Sequence, residues 1–206
     1  MAKIKNTKTE LKAQKDALRR FQRFLPMLQL KKQQLQMEIA TISGAIDELS
    51  AKEDAWRAGL GPWLGLFQTA DAPDDLVVCK AVRTETGNIA GVPIPVFQGI
   101  DIERKPIDLF ETPSWLDDAA DAIAKGMEYG AEREVLEEQR RLVTEELRTT
   151  SQRVNLFEKV KIPECVENIR VINVALGDEQ TSSVARGKIA KGRQARLAPD
   201  TKEDEP

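Results

Sequence analysis

The sequence predicts a mostly α-helical chain: a long antiparallel two-helix coiled coil formed by N- and C-terminal helices, with a small insert that contains a short β-hairpin. Three observations predict it. An apolar stripe runs through the first 60 residues at alternating three- and four-residue steps. A stretch rich in proline and glycine comes next, and beyond it the composition is helical again almost to the end. Composition agrees: of 206 residues, 32% are charged and only 5% are aromatic. Extended helical assemblies favour residues that lose little entropy in a helix, whereas a compact domain draws more on large rings.

The N-terminal helix (1–61) has the clearest pattern. From Ile4 the steps meet Thr7, Leu11, Gln14, Leu18, Phe21, Leu25, Leu28, Lys32, Leu35, Ile39, Ile42, Ile46, Leu49, Glu53, Trp56 and Leu60. Only Thr7, Gln14, Lys32 and Glu53 break the apolar seam. A 3–4 spacing sustained this far is the heptad signature of a left-handed coiled coil, and at 1.5 Å per residue the helix would be roughly 90 Å long. Pro26 lies inside the pattern and is expected to bend it, because proline removes a backbone donor and crowds the preceding turn. Gly59, Gly61 and Pro62 mark the end.

The insert (62–113) is punctuated by proline and glycine, among them Pro73, Gly87, Gly91, Pro93, Pro95, Gly99, Pro106 and Pro113. Two β-like runs, 76–82 and 92–97, flank a segment able to turn at 86–91, which predicts a hairpin. Pro93 and Pro95 restrict the second run to an edge or bulged strand.

The C-terminal helix (114–196) opens on a variant capping box, Ser114 with Asp117 three residues on. Leu136, Val143, Thr150 and Phe157 recur at sevens, and Ile162, Val166, Ile169, Asn173 and Leu176 at 3–4 spacing. Pro163 interrupts this helix as Pro26 does the first. The acidic tail (197–206) is expected to be disordered. Two seamed helices can bury their stripes against each other. Antiparallel pairing would set Ile4 near residue 185 and bring Pro26 and Pro163 to a similar level.

The formal net charge is −3, but it is unevenly spread. Lys3, Lys5, Lys8 and Lys12 begin a basic N-terminal segment; Arg186, Lys188, Lys191, Arg193 and Arg196 make a second one with no acid among them. Acids gather between, at Asp71, Asp74 and Asp75, at Asp117, Asp118 and Asp121, and through Glu132, Glu134, Glu137 and Glu138. Pairing would bring both basic segments to one tip. Such a tip can be simply solvated, can face acidic protein surfaces, or can meet nucleic acid, although no aromatic side chains interleave the cations.

Much chemistry is absent. There is no histidine, no GxxxxGK[ST] phosphate loop and no CxxC; Cys79 and Cys165 stand far apart. Two cysteines make no disulfide framework, which suits a reducing compartment. No stretch approaches the roughly 20 apolar residues that span a bilayer. Paired acids such as Asp74 with Asp75 read as solvated loop residues. The chain reads as a non-catalytic protein without metal or cofactor.

The stretch TSQRVNLFEKVKIP (150–163) resembles the RVNxLExxxIP segment of the family of V/A-type ATPase D subunits, with Arg153, Val154, Asn155, Glu158, Ile162 and Pro163 on matching positions. Residues 6–11 (NTKTEL) and 28–35 (LQLKKQQL) resemble the family's opening segments, and 113–119 (PSWLDDA) the start of its second long helix. Asn6 stands where proline is usual, Pro26 lies within the first helix, and Phe157 replaces a commoner leucine. The resemblance implies a central-stalk rotor subunit whose paired termini enter the hexameric ring of A and B subunits. It implies a side bound to the F subunit, an end resting on the C (d-type) subunit, and a β-hairpin near 76–98. Such a protein transmits torque between ATP turnover and proton or sodium transport. It would be cytoplasmic and peripheral, meeting the membrane only through the complex. Lys3, Lys5, Lys8, Lys12, Lys188, Lys191 and Arg193 would then face the ring, and Arg153, Asn155 and Glu158 the ring's collar or a stalk partner. The alternative is a generic coiled-coil adaptor or export-apparatus stalk protein, a class that lacks the insert.

Overall fold

The computed structural model describes residues 5–61, 76–106, 113 and 115–197. Lys3, Trp63, the acids Asp71, Asp74 and Asp75, the cap Ser114 and the tail from 198 lie outside the described residues. In chain order come helix α1 (Lys8–Leu60), strands β1 (Val77–Ile89) and β2 (Val92–Arg104), helix α2 (Leu116–Leu156), a single π-turn (Phe157–Lys161) and helix α3 (Ile162–Leu197). The chain divides into two compact units: Gln29–Gln152, and Met1–Leu28 together with Arg153–Pro206.

Thr7, a polar break in the stripe, caps helix α1. Its Oγ1 accepts the Glu10 N–H at 3.2 Å, satisfying one of the four donors that a helix start leaves free. Glu10 in that first turn also suits the positive end of the helix dipole. Gly61 ends the helix, its N–H reaching back to the Ala58 carbonyl at 3.2 Å. Pro26 lies inside α1 without ending it.

In the larger unit, α1 and α2 pair antiparallel. Lys31 Nζ meets Glu146 at 2.6 Å, and Arg133 Nη1 meets Glu53 Oε2 at 3.1 Å. Leu35, Ile42 and Leu49 are 0%, 5% and 4% exposed, one heptad apart, and Ile39 and Ile46 pack beside them. From α2, Val143 joins Leu35 and Ile42 in one cluster. Each such side chain contributes about 1.5–3 kcal/mol on burial. Near the far end of the pair, Trp56 lies over Gly126, where a Cβ would come within 2.6 Å of the ring, and edges against Tyr129. Only a glycine permits that approach.

The hairpin differs from expectation. Each strand has 13 residues, and the turn is the two-residue Ala90-Gly91, not the wider 86–91. Both turn residues have positive φ, 50° and 84°, the backbone that a two-residue hairpin loop requires. Asn88 Oδ1 accepts the Gly91 N–H at 2.9 Å and fastens the turn. The strands outgrow their apolar runs because the ladder continues through polar residues, with Thr86 opposite Pro95 and Asn88 opposite Pro93. Register slips by one residue between Cys79 and Ala81 and again between Arg83 and Thr84.

The prolines are tolerated for a directional reason. In a strand, the N and C=O of one residue point to the same edge. The Pro95 carbonyl accepts from Gln139 Nε2 of α2 at 2.6 Å, so its edge faces the helix and its missing N–H takes no ladder bond from β1. The hairpin base packs Leu76 and Val77 against Leu116, Ala120 and Ala124 of α2, with Trp115 and Ile102 around them. Its tip sets Ile89, Ala90, Val92 and Ile94 against the Leu35–Ile42–Val143 cluster. Strand β1 is the outer one, exposed from Val78 through Thr86.

In the smaller unit, the first part of α1 pairs antiparallel with the end of α2 and the first half of α3. The rings of Phe21 and Phe157 stand 5.0 Å apart, and Asn168 Nδ2 donates to Gln14 Oε1 at 3.5 Å. Leu11, Leu18, Phe21, Leu25 and Leu28 are half-buried. Their counterparts correct the expected seam. Val166 is 51% exposed, and Asn173 is exposed too; Cys165 and Ile172, each one residue earlier than expected, are 6% and 0% exposed. Ile162, Ile169 and Leu176 flank this seam half-buried. Three- and four-residue steps between Ile162, Ile169 and Leu176 fit Cys165 with Ile172 as well as Val166 with Asn173, and packing in the pair takes the first set. Just upstream, the Ile162 N–H bonds to the Phe157 carbonyl five residues back.

The expected levels change as well. Pro26 lies beyond Phe21 in one direction and Pro163 beyond Phe157 in the other, so the prolines are ~16 Å apart along the pair rather than level. With Gln14 facing Asn168, Lys8 is level with about residue 174.

Candidate partner-binding surfaces

Because of that offset, the basic segments do not form one shared tip of equal reach. Helix α3 continues about 20 Å past the first turn of α1 before reaching Lys188. From Gly177 to Gln194 every residue is exposed, apolar Val184 and Ile189 included, each at 59%. A helix without a partner along one face loses the packing that stabilises most protein helices. Arg186, Lys188, Lys191, Arg193 and Arg196 lie on this projecting stretch, and acids appear only at its root, Asp178 and Glu179. Arg186, Ile189, Ala190, Arg193 and Gln194 lie together on one face of this stretch.

Lys5, Lys8 and Lys12 are exposed at the start of α1; Lys3 lies outside the described residues. Arg153, Asn155 and Glu158 are all exposed, and among the described residues none of them forms an ion pair. Arg153 and Asn155 precede the π-turn and Glu158 lies within it, beside exposed Leu156 (44%) and Val160 (49%). The structure therefore sets this trio at the helix irregularity and the cationic residues on the projecting end, as two separate surfaces of one unit.

Sequence reasoning missed the polar link inside the larger unit. Glu53 is 6% exposed and takes Arg57 at 2.6 Å on one oxygen and Arg133 at 3.1 Å on the other. The signal was a lone acid on an apolar seam. Lys32, the other charged seam residue, is half-buried. Other ion pairs also join elements, Lys31 with Glu146, Lys80 with Glu103 and Arg104 with Asp121. Within the helices, Arg141 lowers the Glu138 carboxyl by hydrogen bonding, and Arg170 does so to Glu167. Lys125 is raised by its hydrogen bond to Glu128 and lies 5.0 Å over the Tyr129 ring. Burial pushes the Cys165 thiol up. Among the described residues no cluster of acids and cysteines could hold a metal ion, and no helix is long and apolar enough to cross a membrane. Paired amphipathic helices with a side-packed hairpin and charged exposed stretches can bind other proteins.

The architecture is that of a helical assembly subunit. Residues 10–192 match the model of the ATP synthase D-subunit family, and the chain belongs to that family. It is 44% identical over 191 residues to the V-type ATP synthase D subunit of Borreliella burgdorferi, covering 93% of this chain and 95% of the relative. It is 34% identical to that of Chlamydia muridarum and 33% to that of Chlamydia felis, each over 92% of this chain, with 95% and 93% of the relatives covered.

Proposed function

We propose that this chain is the central-stalk rotor subunit of a V/A-type rotary ATPase, without catalytic activity of its own. Its projecting α3 end would enter the ring of A and B subunits, its side would carry the F subunit, and it would rest on the C (d-type) subunit. Torque would pass through the paired helices between ATP turnover in the ring and proton or sodium transport in the membrane, to which the chain attaches only through its partners. The observation that carries this reading is the end of α3, exposed on all sides from Gly177 and cationic beyond Val184. An isolated helix with this charge is suited to an enclosing acidic surface, where complementary charge favours association without fixing one orientation. Arg153, Asn155 and Glu158 would contact the collar of the ring or a stalk partner.

The test is reconstitution with the A, B and F subunits. Wild-type chain should co-purify with the ring and F and support ATP-driven rotation. Replacing Lys188, Lys191, Arg193 and Arg196 together by Gln should weaken ring association and make the remaining association less sensitive to salt, because the screened charge pairs are gone. Unchanged assembly and rotation would make this end merely solvated, and nucleotide hydrolysis by the chain alone would overturn its non-catalytic assignment.

A further inference from the structure

We propose that the π-turn is a phase-correcting device: it stores one surplus residue so that two seams out of step in the sequence both bury against α1. On α2, Val143 and Thr150 are 0% and 1% exposed, and Phe157 comes seven residues later against Phe21. Continued through a regular helix, those sevens reach Glu164 and Val171. Both are exposed in fact, Val171 at 40%, while Cys165 and Ile172 are buried. The gap from Phe157 to Cys165 is eight, one more than a heptad.

A regular α-helix turns each residue by about 100°, so an unabsorbed surplus would swing Ile172 off the seam and bring Glu164 onto it. A coiled coil can spread such a mismatch over several turns by changing its winding. Here it is concentrated in one turn, marked by the Ile162 N–H to Phe157 carbonyl bond. That turn lies where the helix can best accommodate it: Pro163 cannot donate to the Lys159 carbonyl, and widening the backbone moves that carbonyl away from the proline ring. Pro26 lies inside α1 with no π-turn beside it, so proline alone does not require one.

The test uses the full chain with Cys79→Ser and Cys165→Ala, and Gln14→Cys with Asn168→Cys as an oxidative cross-link across the pair. Pro163→Ala should keep the cross-link, because the residue count is unchanged. Deleting Val160 in that Pro163→Ala chain should keep it as well, within about twofold in yield, because the turn reverts to α without rotating the downstream helix. Inserting one alanine after Val160 should lower the yield by about tenfold or more, since a second surplus rotates α3. Loss of the cross-link on deletion, with or without loss of helical circular dichroism, would overturn the proposal. So would its persistence on insertion, or its loss in Pro163→Ala, which would make the proline the cause.

Discussion

Glu53 of α1 is held across the pair by Arg133 of α2, Oε2 to Nη1 at 3.1 Å, while its other oxygen takes Arg57 at 2.6 Å. The carboxylate sits on the seam with both oxygens satisfied, the condition under which a buried charge is tolerated. Charge matching at one position also opposes slippage of the apolar stripe past its partner.

Glu53→Ala should therefore lower stability by about 1–3 kcal/mol, read as a lower urea midpoint, because it leaves a small void and two unpaired guanidinium groups. Arg133→Ala should cost less, about 1 kcal/mol or below, since the Arg133 side chain is 41% exposed and Arg57 still holds the acid. An equal or larger loss on the arginine side would show that the pair is not organised around the buried acid.

Gly126→Ala should cost about 1–3 kcal/mol by overpacking, because the new methyl falls 2.6 Å from the Trp56 ring edge. Trp56→Leu should recover part of that loss in the double variant. Thermal melts of the four chains in the cycle give the coupling.

Ile172→Ala should cost about 2–5 kcal/mol, as expected for a fully buried aliphatic residue. Val166→Ala, at a position 51% exposed, should stay within about 0.5 kcal/mol. Denaturant unfolding of both variants checks the phase of α3 directly, and a reversal of the two costs would reject it.

Burial raises the Cys165 thiol above its ordinary 9.0, so the folded chain holds its proton where the unfolded chain has lost it. The stability associated with this thiol is then fully present below pH 9 and falls as pH rises from 9 toward the folded value. Cys165→Ala should flatten that alkaline decline. In the native wild-type chain a maleimide should modify exposed Cys79 much faster than buried Cys165, as mass spectrometry would show.

The fold class was legible because its signals are local. Leu11 through Leu60 repeat at the helix period, and each of these seam positions is buried or half-buried in α1. The insert's hairpin was legible from its two β-like runs. Its length was not: residues 83–89 become strand through pairing with 92–99 and through packing of the hairpin tip on α1 and α2, contacts far apart in sequence. The cationic residues of the candidate surface were legible as well, but not their separation.

The sequence by itself determined that this chain forms paired helices with a small β insert, because side-chain spacing sets which face of a regular helix is apolar. Only the tertiary structure decided which residues of α3 fill the seam and how far its basic end projects. Spacing from Ile162 fits Val166 with Asn173 as well as Cys165 with Ile172, and only packing in the pair chooses between two adjacent faces of one helix.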